Sequence, residues 1–220
     1  MEVVVREFAP GDGGGVAALI LENAAYHARL APDYFKLPDQ DGLVAFIESD
    51  EEWRAAESNL ALVAQVHGQV AGCLEASVQP PHETARWQAQ RDLEQPRLHI
   101  NFLGTADAFK RQGVATRLVE EAERWGRSKG AIVAVCDTYI DSPLSVPFWE
   151  QRMGYSRRAI ILRKPLEPPS VEILGIPAPK RHASEPSHPR RGAQPPPSTE
   201  AGLPPPGATS RDVACDVSVY

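Results

Sequence analysis

The chain has 220 residues, of which 42% are hydrophobic, and a formal net charge of −6. This length leaves room for one ordinary domain and an appendage, and the hydrophobic fraction is sufficient for a core. The acidic balance argues against a nucleic-acid-binding protein, which usually presents a basic face, and it is compatible with a positively charged substrate.

The spacing of the cysteines and the length of the apolar runs argue against further classes of protein. Cys73, Cys136 and Cys215 are widely spaced and indicate neither a disulfide framework nor a zinc site. The N-terminus lacks a basic stretch followed by a long apolar run, and no segment approaches the ~20 apolar residues of a membrane span. We therefore expect a cytoplasmic protein with no metal, no nucleic-acid partner and no membrane association.

The first half of the chain predicts a strand, two helices and a hairpin. A β-branched run over 3–8 ends in a glycine-rich turn, and apolar residues then recur at helical spacing over 16–30. A second helix is predicted at 43–47. The runs 60–66 and 70–78 flank a short loop with a glycine, which is typical of a β-hairpin, and a polar, proline-containing insertion follows.

The second half predicts three more strands around the clearest helix of the chain. Alternating apolar and polar residues over 98–103 favour a strand with one wetter face. The 113–130 segment has an apolar stripe at helical spacing and ends in a glycine. A buried strand at 132–136, a short helix at 146–152 and a last strand at 155–163 complete an order that indicates a mixed sheet in an α/β (α+β) fold.

The composition changes from Pro165 onward. This part holds 13 of the 21 prolines, and its one aromatic residue is Tyr220. Such a segment buries too little apolar surface to offset the entropy lost on ordering it. We predict a folded domain at 1–166 and a proline-rich, disordered tail at 167–220, whose basic segments are alternatively interpreted as docking sites for a partner.

The segment before the 113–130 helix carries the strongest functional signal. It reads Phe109-Lys-Arg-Gln-Gly-Val-Ala-Thr116. A helix N-terminus has backbone N–H groups without intrahelical acceptors and a partial positive charge. Gly113 lets the backbone approach a ligand closely, and two basic side chains precede it. The pattern predicts a phosphate site, although a plain helix start with solvated bases has the same composition.

This segment and a later one resemble the two signatures of the GNAT acyltransferases. Lys110-Arg-Gln-Gly-Val-Ala115 resembles the pattern Gln/Arg-x-x-Gly-x-Gly/Ala, with lysine in the first position. Pro147-Phe-Trp-Glu-Gln-Arg-Met-Gly-Tyr155 resembles the second signature, an aromatic-rich helix that ends in Gly-Phe or Gly-Tyr. The resemblance covers about 3–165 and implies the GNAT fold, a mixed, mostly antiparallel sheet of six to seven strands flanked by about four helices.

The resemblance also implies an activity. Enzymes of this family move an acetyl group from acetyl-CoA, a co-substrate, to an amine that attacks the thioester directly, and no metal takes part. The pantetheine arm is expected between the strands at 98–105 and 132–138, with the pyrophosphate at the start of the following helix. The coenzyme-binding residues implied by the resemblance are Leu103, Gly104, Thr105, Lys110, Arg111, Gln112, Gly113, Val114, Ala115, Thr116 and Trp149.

The candidate catalytic residues are His99 and Asn101. Counting back from the first signature, they fall where related enzymes place a catalytic glutamate or histidine. We predict His99 as the general base because an imidazole pKa of ~6.5 suits proton removal near neutral pH. Asn101 is predicted to orient a water or the substrate. The alternative is that His99 is only a polar residue on a half-exposed strand.

The second signature departs from the family pattern. Trp149 stands where many relatives have a tyrosine that protonates the departing thiolate, and an indole N–H is not an acid near neutral pH. One extra residue separates Trp149 from Gly154, and Ser142 replaces the usual asparagine. Tyr139, Tyr155 or water are left as sources of the proton, and a coenzyme A thiol has a low enough pKa that no acid is strictly needed.

The acceptor is expected to be a small cationic amine or an antibiotic-like molecule. The segments that would contact it carry several acidic residues, although an ordinary solvated surface has the same composition. These residues are Asp33, Asp39, Asp41, Asp50, Glu51, Glu52 and Glu83. The alternatives are an acetyltransferase of a protein or peptide amine and a catalytically weak acyl-CoA-binding module. A homodimer is left open.

Overall fold

The computed structural model describes residues 2–165. Residues 2–159 lie in one compact unit, and 160–165 belong to a second unit, in which they form no helix or strand. The predicted tail at 167–220 lies outside the described residues. No helix within 2–165 is long and apolar enough to cross a membrane.

Five strands form one sheet in which the strands follow each other in chain order. The antiparallel strands are β1 (Val4–Glu7), β2 (Asn59–Val66), β3 (Gln69–Gln79) and β4 (Arg97–Thr105), and β5 (Val133–Cys136) pairs in parallel with β4. The predicted mixed, mostly antiparallel sheet is confirmed. The predicted insertion between β3 and β4 contains two short 3₁₀ turns.

Helices pack on both faces of the sheet. The helices are α1 (Gly13–Leu30), α2 (Leu43–Glu48), α3 (Glu51–Ala55), α4 (Val114–Ser128) and the short α5 (Ser145–Pro147). Val63 packs in the cluster that contains α1 residues, whereas its neighbour Leu62 packs in the cluster that contains α4 residues. Because successive residues of a strand point to opposite faces, α1 and α4 cover opposite faces of the sheet.

The predicted sequence pattern of α4 is confirmed, with a slightly shorter helix. Val114, Leu118 and Ala122 are at most 1% exposed and recur every four residues, so one stripe of the helix faces the sheet. The helix ends at Ser128, two residues before the predicted glycine. This helix fixes the position of the loop that precedes it.

The predicted last strand at 155–163 is not formed. Residues 154–165 contain no helix or strand, which reduces the expected six or seven strands to five among the described residues. The apolar run has side chains with high strand propensity, yet Ile160, Ile161 and Leu162 are 66%, 75% and 91% exposed. A strand also needs a neighbour that satisfies its backbone hydrogen bonds, and none pairs with this run within 2–165.

Candidate active site

The pairing between β4 and β5 is short. Arg97–Ile100 pairs with Val133–Cys136, whereas 102–105 pairs with β3 alone among residues 2–165. The pairing therefore ends within 98–105, the segment beside which the resemblance implies the pantetheine arm. Leu103 and Thr105 are nevertheless 1% and 2% exposed, so this part of β4 is buried although it pairs with no second strand within 2–165.

A bulge interrupts β4 at the end of this pairing. Ile100 and Phe102 pair with Ala76 and Glu75, which are adjacent on β3, so Asn101 has no partner residue there. The extra residue reverses the alternation of side chains. Ile100 packs in the cluster that contains α4 residues, and Phe102 packs in the cluster that contains α1 residues. The extra residue of the bulge is thus Asn101, one of the two predicted catalytic residues.

The structure brings His99 and Asn101 together. Nδ1 of His99 lies 2.6 Å from Oδ1 of Asn101, and Nδ2 of Asn101 donates to Oγ of Ser77 at 3.4 Å. Because a carboxamide oxygen only accepts hydrogen bonds, Nδ1 carries the hydrogen in this arrangement. The neutral imidazole then has its lone pair on Nε2, which is the atom available as a base.

A third residue, Asp137, completes this cluster. Its Oδ2 lies 3.8 Å from Nε2 of His99, and the side chains of Asp137 and His99 are 64% and 29% exposed. The Asp137 carboxylate raises the pKa of His99, and Asn101 adds to this effect, whereas burial and the Arg97 charge oppose it. In turn, His99 lowers the pKa of Asp137. Asp137 was not predicted, and its one signal in the sequence is its position directly after the apolar run at 132–136, which was predicted as a buried strand but is half-buried over Val133–Cys136.

Helix α1 places a buried amide over β4. Asn23 is 1% exposed, and neither Nδ2 nor Oδ1 of its side chain has a hydrogen-bond partner within the described range. A Cβ atom on Gly104 would lie 2.5 Å from Nδ2 of Asn23 and would also collide with Leu19. The close approach of α1 to β4 therefore requires glycine at position 104, besides any contact of Gly104 with the coenzyme.

Substituting Gly104 with alanine should destabilise the fold by about 1–3 kcal/mol, which is typical of an overpacked core. The added methyl group must displace Leu19 or Asn23 on α1. Denaturation by urea would measure the change in the free energy of unfolding. Gly14→Ala is a matched control because a Cβ there meets no atom within 4 Å. Equal stability of the two variants would contradict the tight contact between α1 and β4.

The predicted phosphate loop is a turn with two left-handed residues. Arg111 has φ of 61° and Gly113 has φ of 83°. The first hydrogen bond of α4 runs from the N–H of Arg117 to the carbonyl of Gly113 at 3.0 Å, so the N–H groups of 114–116 have no acceptor within the helix. Successive N–H groups in such a turn form a concave site for anions.

The side chains around this turn differ in their availability to a ligand. Nζ of Lys110 pairs with Oδ1 of Asp107 at 2.5 Å, and Nε2 of Gln112 donates to the carbonyl of Ala108 at 2.9 Å. Arg111 is exposed. Arg152, which was not predicted, donates from Nε to Oγ1 of Thr116 at 3.5 Å and so adds a positive charge beside the start of α4.

Trp149, a predicted coenzyme-binding residue, lies in the core. It is 3% exposed, its Nε1 has no hydrogen-bond partner within the described range, and its ring packs against those of Phe148 and Tyr155. Phe148–Arg152 forms a π-helical turn, and the N–H of Tyr155 donates to the carbonyl of Trp149 at 2.9 Å. A π turn holds one more residue than an α turn, which accounts for the extra residue in the second signature.

The side chains of Tyr155 and Ser142 form hydrogen bonds within the protein. The hydroxyl of Tyr155 donates to Oε1 of Glu123 on α4 at 3.2 Å, and burial together with Glu123 raises the pKa of Tyr155. Oγ of Ser142 accepts a hydrogen bond from the N–H of Ser145, the first residue of α5, at 3.1 Å. Tyr155 is thus held against α4, and Tyr139 stays as the tyrosine candidate for a proton donor.

Tyr139 belongs to an aromatic group formed by two loops. Its ring stacks on Tyr34 with centroids 6.2 Å apart and an interplanar angle of 22°, and Phe35 contacts it edge-on at 5.3 Å. Partial desolvation and the carboxylates of Asp141 and Asp33 raise the pKa of Tyr139. The loop after α1 therefore meets the loop after β5. No cluster of three or more His, Cys, Asp or Glu residues within 2–165 could hold a metal ion.

Solved structures of other proteins share this fold. They include a transcriptional regulator from Bacillus halodurans C-125, aminoglycoside N-acetyltransferase AAC(6')-Iy in complex with a bisubstrate analogue, and glucosamine-6-phosphate N-acetyltransferase from Arabidopsis thaliana. Their identities to this chain are 20%, 22% and 14%, and the TM-scores are 0.57, 0.51 and 0.52. The matches cover 75%, 76% and 76% of this chain and 100% of each of those chains.

Comparison of the sequence with protein families is more specific than comparison of the fold. No curated protein sequence matches the chain. The profile of the Acetyltransferase (GNAT) family matches residues 23–155, which is more than half of the chain and includes both signature segments. The chain therefore belongs to the GNAT acetyltransferase family.

Proposed function

We propose that the protein transfers an acetyl group from acetyl-CoA to the amine of a small cationic acceptor. The observation that carries this proposal is the His99–Asn101–Asp137 cluster at the point where the pairing of β4 with β5 ends. The same strand leads, through a 3₁₀ turn at Asp107–Phe109, into the turn before α4. The candidate base and the proposed phosphate site therefore lie on either side of 101–105, the part of β4 that does not pair with β5.

The turn before α4 fits the pyrophosphate of coenzyme A. A Cβ atom on Gly113 would meet no atom within 4 Å, so the backbone there is open to a ligand. The N–H groups of 114–116 and the exposed guanidinium of Arg111 supply hydrogen bonds and charge. Lys110 is already paired with Asp107, so its share in phosphate binding requires that this ion pair opens or is shared.

The proposed reaction needs a base for the acceptor. At neutral pH an alkylamine is an ammonium ion and must lose a proton before its nitrogen can attack. Nε2 of His99 takes that proton, and Asn101 holds the ring in the tautomer that leaves Nε2 free to accept it. The amine nitrogen then forms a bond to the thioester carbonyl carbon, and the carbon–sulfur bond breaks. The coenzyme supplies the activated acetyl group.

Direct attack is favoured over a thiol-bound intermediate by the state of the cysteines. Cys73 is buried, and desolvation raises the pKa of its thiol. Burial, with a contribution from Asp137, raises the pKa of Cys136 to about 12. The thiolate is the nucleophilic form of cysteine. Within 2–165, therefore, no cysteine is suited to accept the acetyl group at neutral pH.

A second candidate function is an acyl-CoA-binding module with little turnover. The observation in its favour is that Trp149 occupies the position of the usual tyrosine and that Tyr155 is tied to Glu123, so neither protonates a thiolate. The leaving thiolate of coenzyme A is stable enough to depart without an acid, which keeps the enzyme as the first candidate.

Release of free thiol distinguishes the two functions. The protein is incubated with acetyl-CoA and a panel of cationic small amines and a lysine-containing peptide, and free thiol is measured with a thiol-reactive dye. We expect amine-dependent release of coenzyme A and an acetylated small amine by mass spectrometry. Binding of acetyl-CoA without thiol release for any amine would support the binding module, and preference for the peptide would support a protein acetyltransferase.

A further inference from the structure

Two hydrogen-bond acceptors face each other beside the bulge of β4. Nε2 of neutral His99 carries a lone pair because Nδ1 donates to Asn101. Oδ2 of Asp137 lies 3.8 Å from this nitrogen, which is longer than a hydrogen bond. A group that donates hydrogen bonds to both atoms would fit this pair, and with 64% of its side chain exposed Asp137 is accessible to such a group.

A primary ammonium ion has the required chemistry. Its nitrogen carries three hydrogens and a positive charge, so it can donate to the carboxylate and to the imidazole at the same time. A neutral alcohol has a single hydrogen to donate and no charge.

The segment that carries Asp137 also contributes to an aromatic group. Tyr139 follows Asp137 by two residues, and its ring is stacked on Tyr34 from the loop after α1. The faces of aromatic rings attract cations and the polarised carbon atoms next to them. The carboxylates of Asp33 and Asp141 act on Tyr139, so the surroundings of the rings are negative.

We propose that Asp137 binds the ammonium group of the acceptor and that the Tyr34–Tyr139 pair packs against the hydrocarbon part next to it. The acceptor class is then a primary alkylammonium or arylalkylammonium ion. This inference rests on the proposed N-acetyltransferase function. The ammonium ion, held by Asp137, passes one proton to Nε2 of His99, which leaves a neutral amine and an imidazolium ion paired with Asp137.

The pH dependence of the reaction separates this role from a structural one. The charged groups that act on His99 are Asp137, which raises its pKa, and Arg97, which lowers it. In the Asp137→Asn variant the pKa of His99 should therefore fall. Because the base must be neutral to accept a proton, the rising limb of kcat/KM should move to lower pH. Asp137→Glu keeps the charge and should keep the limb close to its wild-type position.

A binding experiment tests the proposal independently of turnover. Calorimetry with protein saturated with coenzyme A compares 2-phenylethylammonium with 2-phenylethanol, which lacks the charge. We expect the wild type to prefer the ammonium ion and Asp137→Asn to lose about tenfold in affinity for it, which is typical of a charge-assisted hydrogen bond. Glu120→Gln on α4 removes one exposed charge from the other face of the sheet and should change nothing.

The outcomes are distinct for each part of the proposal. Unchanged ammonium affinity and an unshifted pH limb in Asp137→Asn would overturn the role of Asp137. If the wild type also acetylates amines, the proposed function survives that result. Tyr139→Phe should retain affinity and Tyr139→Leu should lose it, because the ring face makes the contact. Equal losses in both variants would overturn the role of the ring.

Discussion

Replacement of His99 with alanine should lower turnover by about 100-fold or more and leave the affinity for acetyl-CoA unchanged. The reason is that Nε2 of His99 faces Asp137, on the proposed acceptor side, whereas the proposed pyrophosphate site lies beyond the far end of β4. Steady-state thiol release measures turnover, and calorimetry measures the affinity for acetyl-CoA.

The pH profile identifies the chemical role of His99. Asp137 raises the pKa of His99, so the wild-type rate should rise with pH through a limb above the ordinary imidazole value of about 6.5. That limb should flatten in His99→Ala. His99→Gln retains a hydrogen-bonding group without basicity, so it separates positioning from proton transfer. Wild-type turnover across the pH range in His99→Ala would show that the residue is structural and that solvent deprotonates the amine.

Local patterns in the sequence were sufficient to predict the parts of the fold that depend on local periodicity. Helix α4 follows from the four-residue spacing of Val114, Leu118 and Ala122, because that spacing places these side chains on one buried stripe. The loop before α4 follows from Gly113, whose left-handed conformation favours glycine. The roles of the loop residues in binding coenzyme A stay predictions.

Features that depend on pairing between distant segments could not be predicted from the sequence. The run at Ile160–Leu162 has strand propensity but no partner strand within 2–165, so propensity alone gave a wrong strand. The bulge at Asn101 depends on the register of β4 against β3, which alternation within β4 does not specify. The extra residue before Gly154 was visible in the sequence, but only the backbone shows that a π turn contains it.

The candidate site was likewise predicted only in part from the sequence. His99 and Asn101 were predicted from their distance to the signature, and the structure joins them through one hydrogen bond. Asp137 and Tyr34 come from segments that are 38 and 65 residues away from His99 along the chain, and only the fold brings Asp137 to His99 and Tyr34 to Tyr139. Polar residues after a strand or a helix are too common in sequences for their position to identify a site.

Substitution of Gly113 with glutamate should abolish acetyl-CoA binding, with a loss in affinity of about 100-fold or more. A Cβ at this position meets no protein atom within 4 Å, so the new side chain has space and projects from the turn where the phosphates are proposed to bind. Two like charges placed together cost several kcal/mol, and each 1.4 kcal/mol corresponds to a factor of about ten in affinity.

Backbone strain must be separated from charge in this experiment. Gly113 has φ of 83°, so any other residue there carries a strain of about 1–2 kcal/mol. Gly113→Ala carries the same strain without charge, and Gly113→Lys carries it with the opposite charge. If charge decides, calorimetry should give the lysine variant an affinity for acetyl-CoA at or above that of the alanine variant. Both affinities should be far above that of the glutamate variant, and circular dichroism should show that each variant is folded. Because a phosphate–carboxylate repulsion is screened by ions, the glutamate variant should regain part of its affinity at high salt. Micromolar affinity in a folded Gly113→Glu protein would show that the pyrophosphate binds elsewhere.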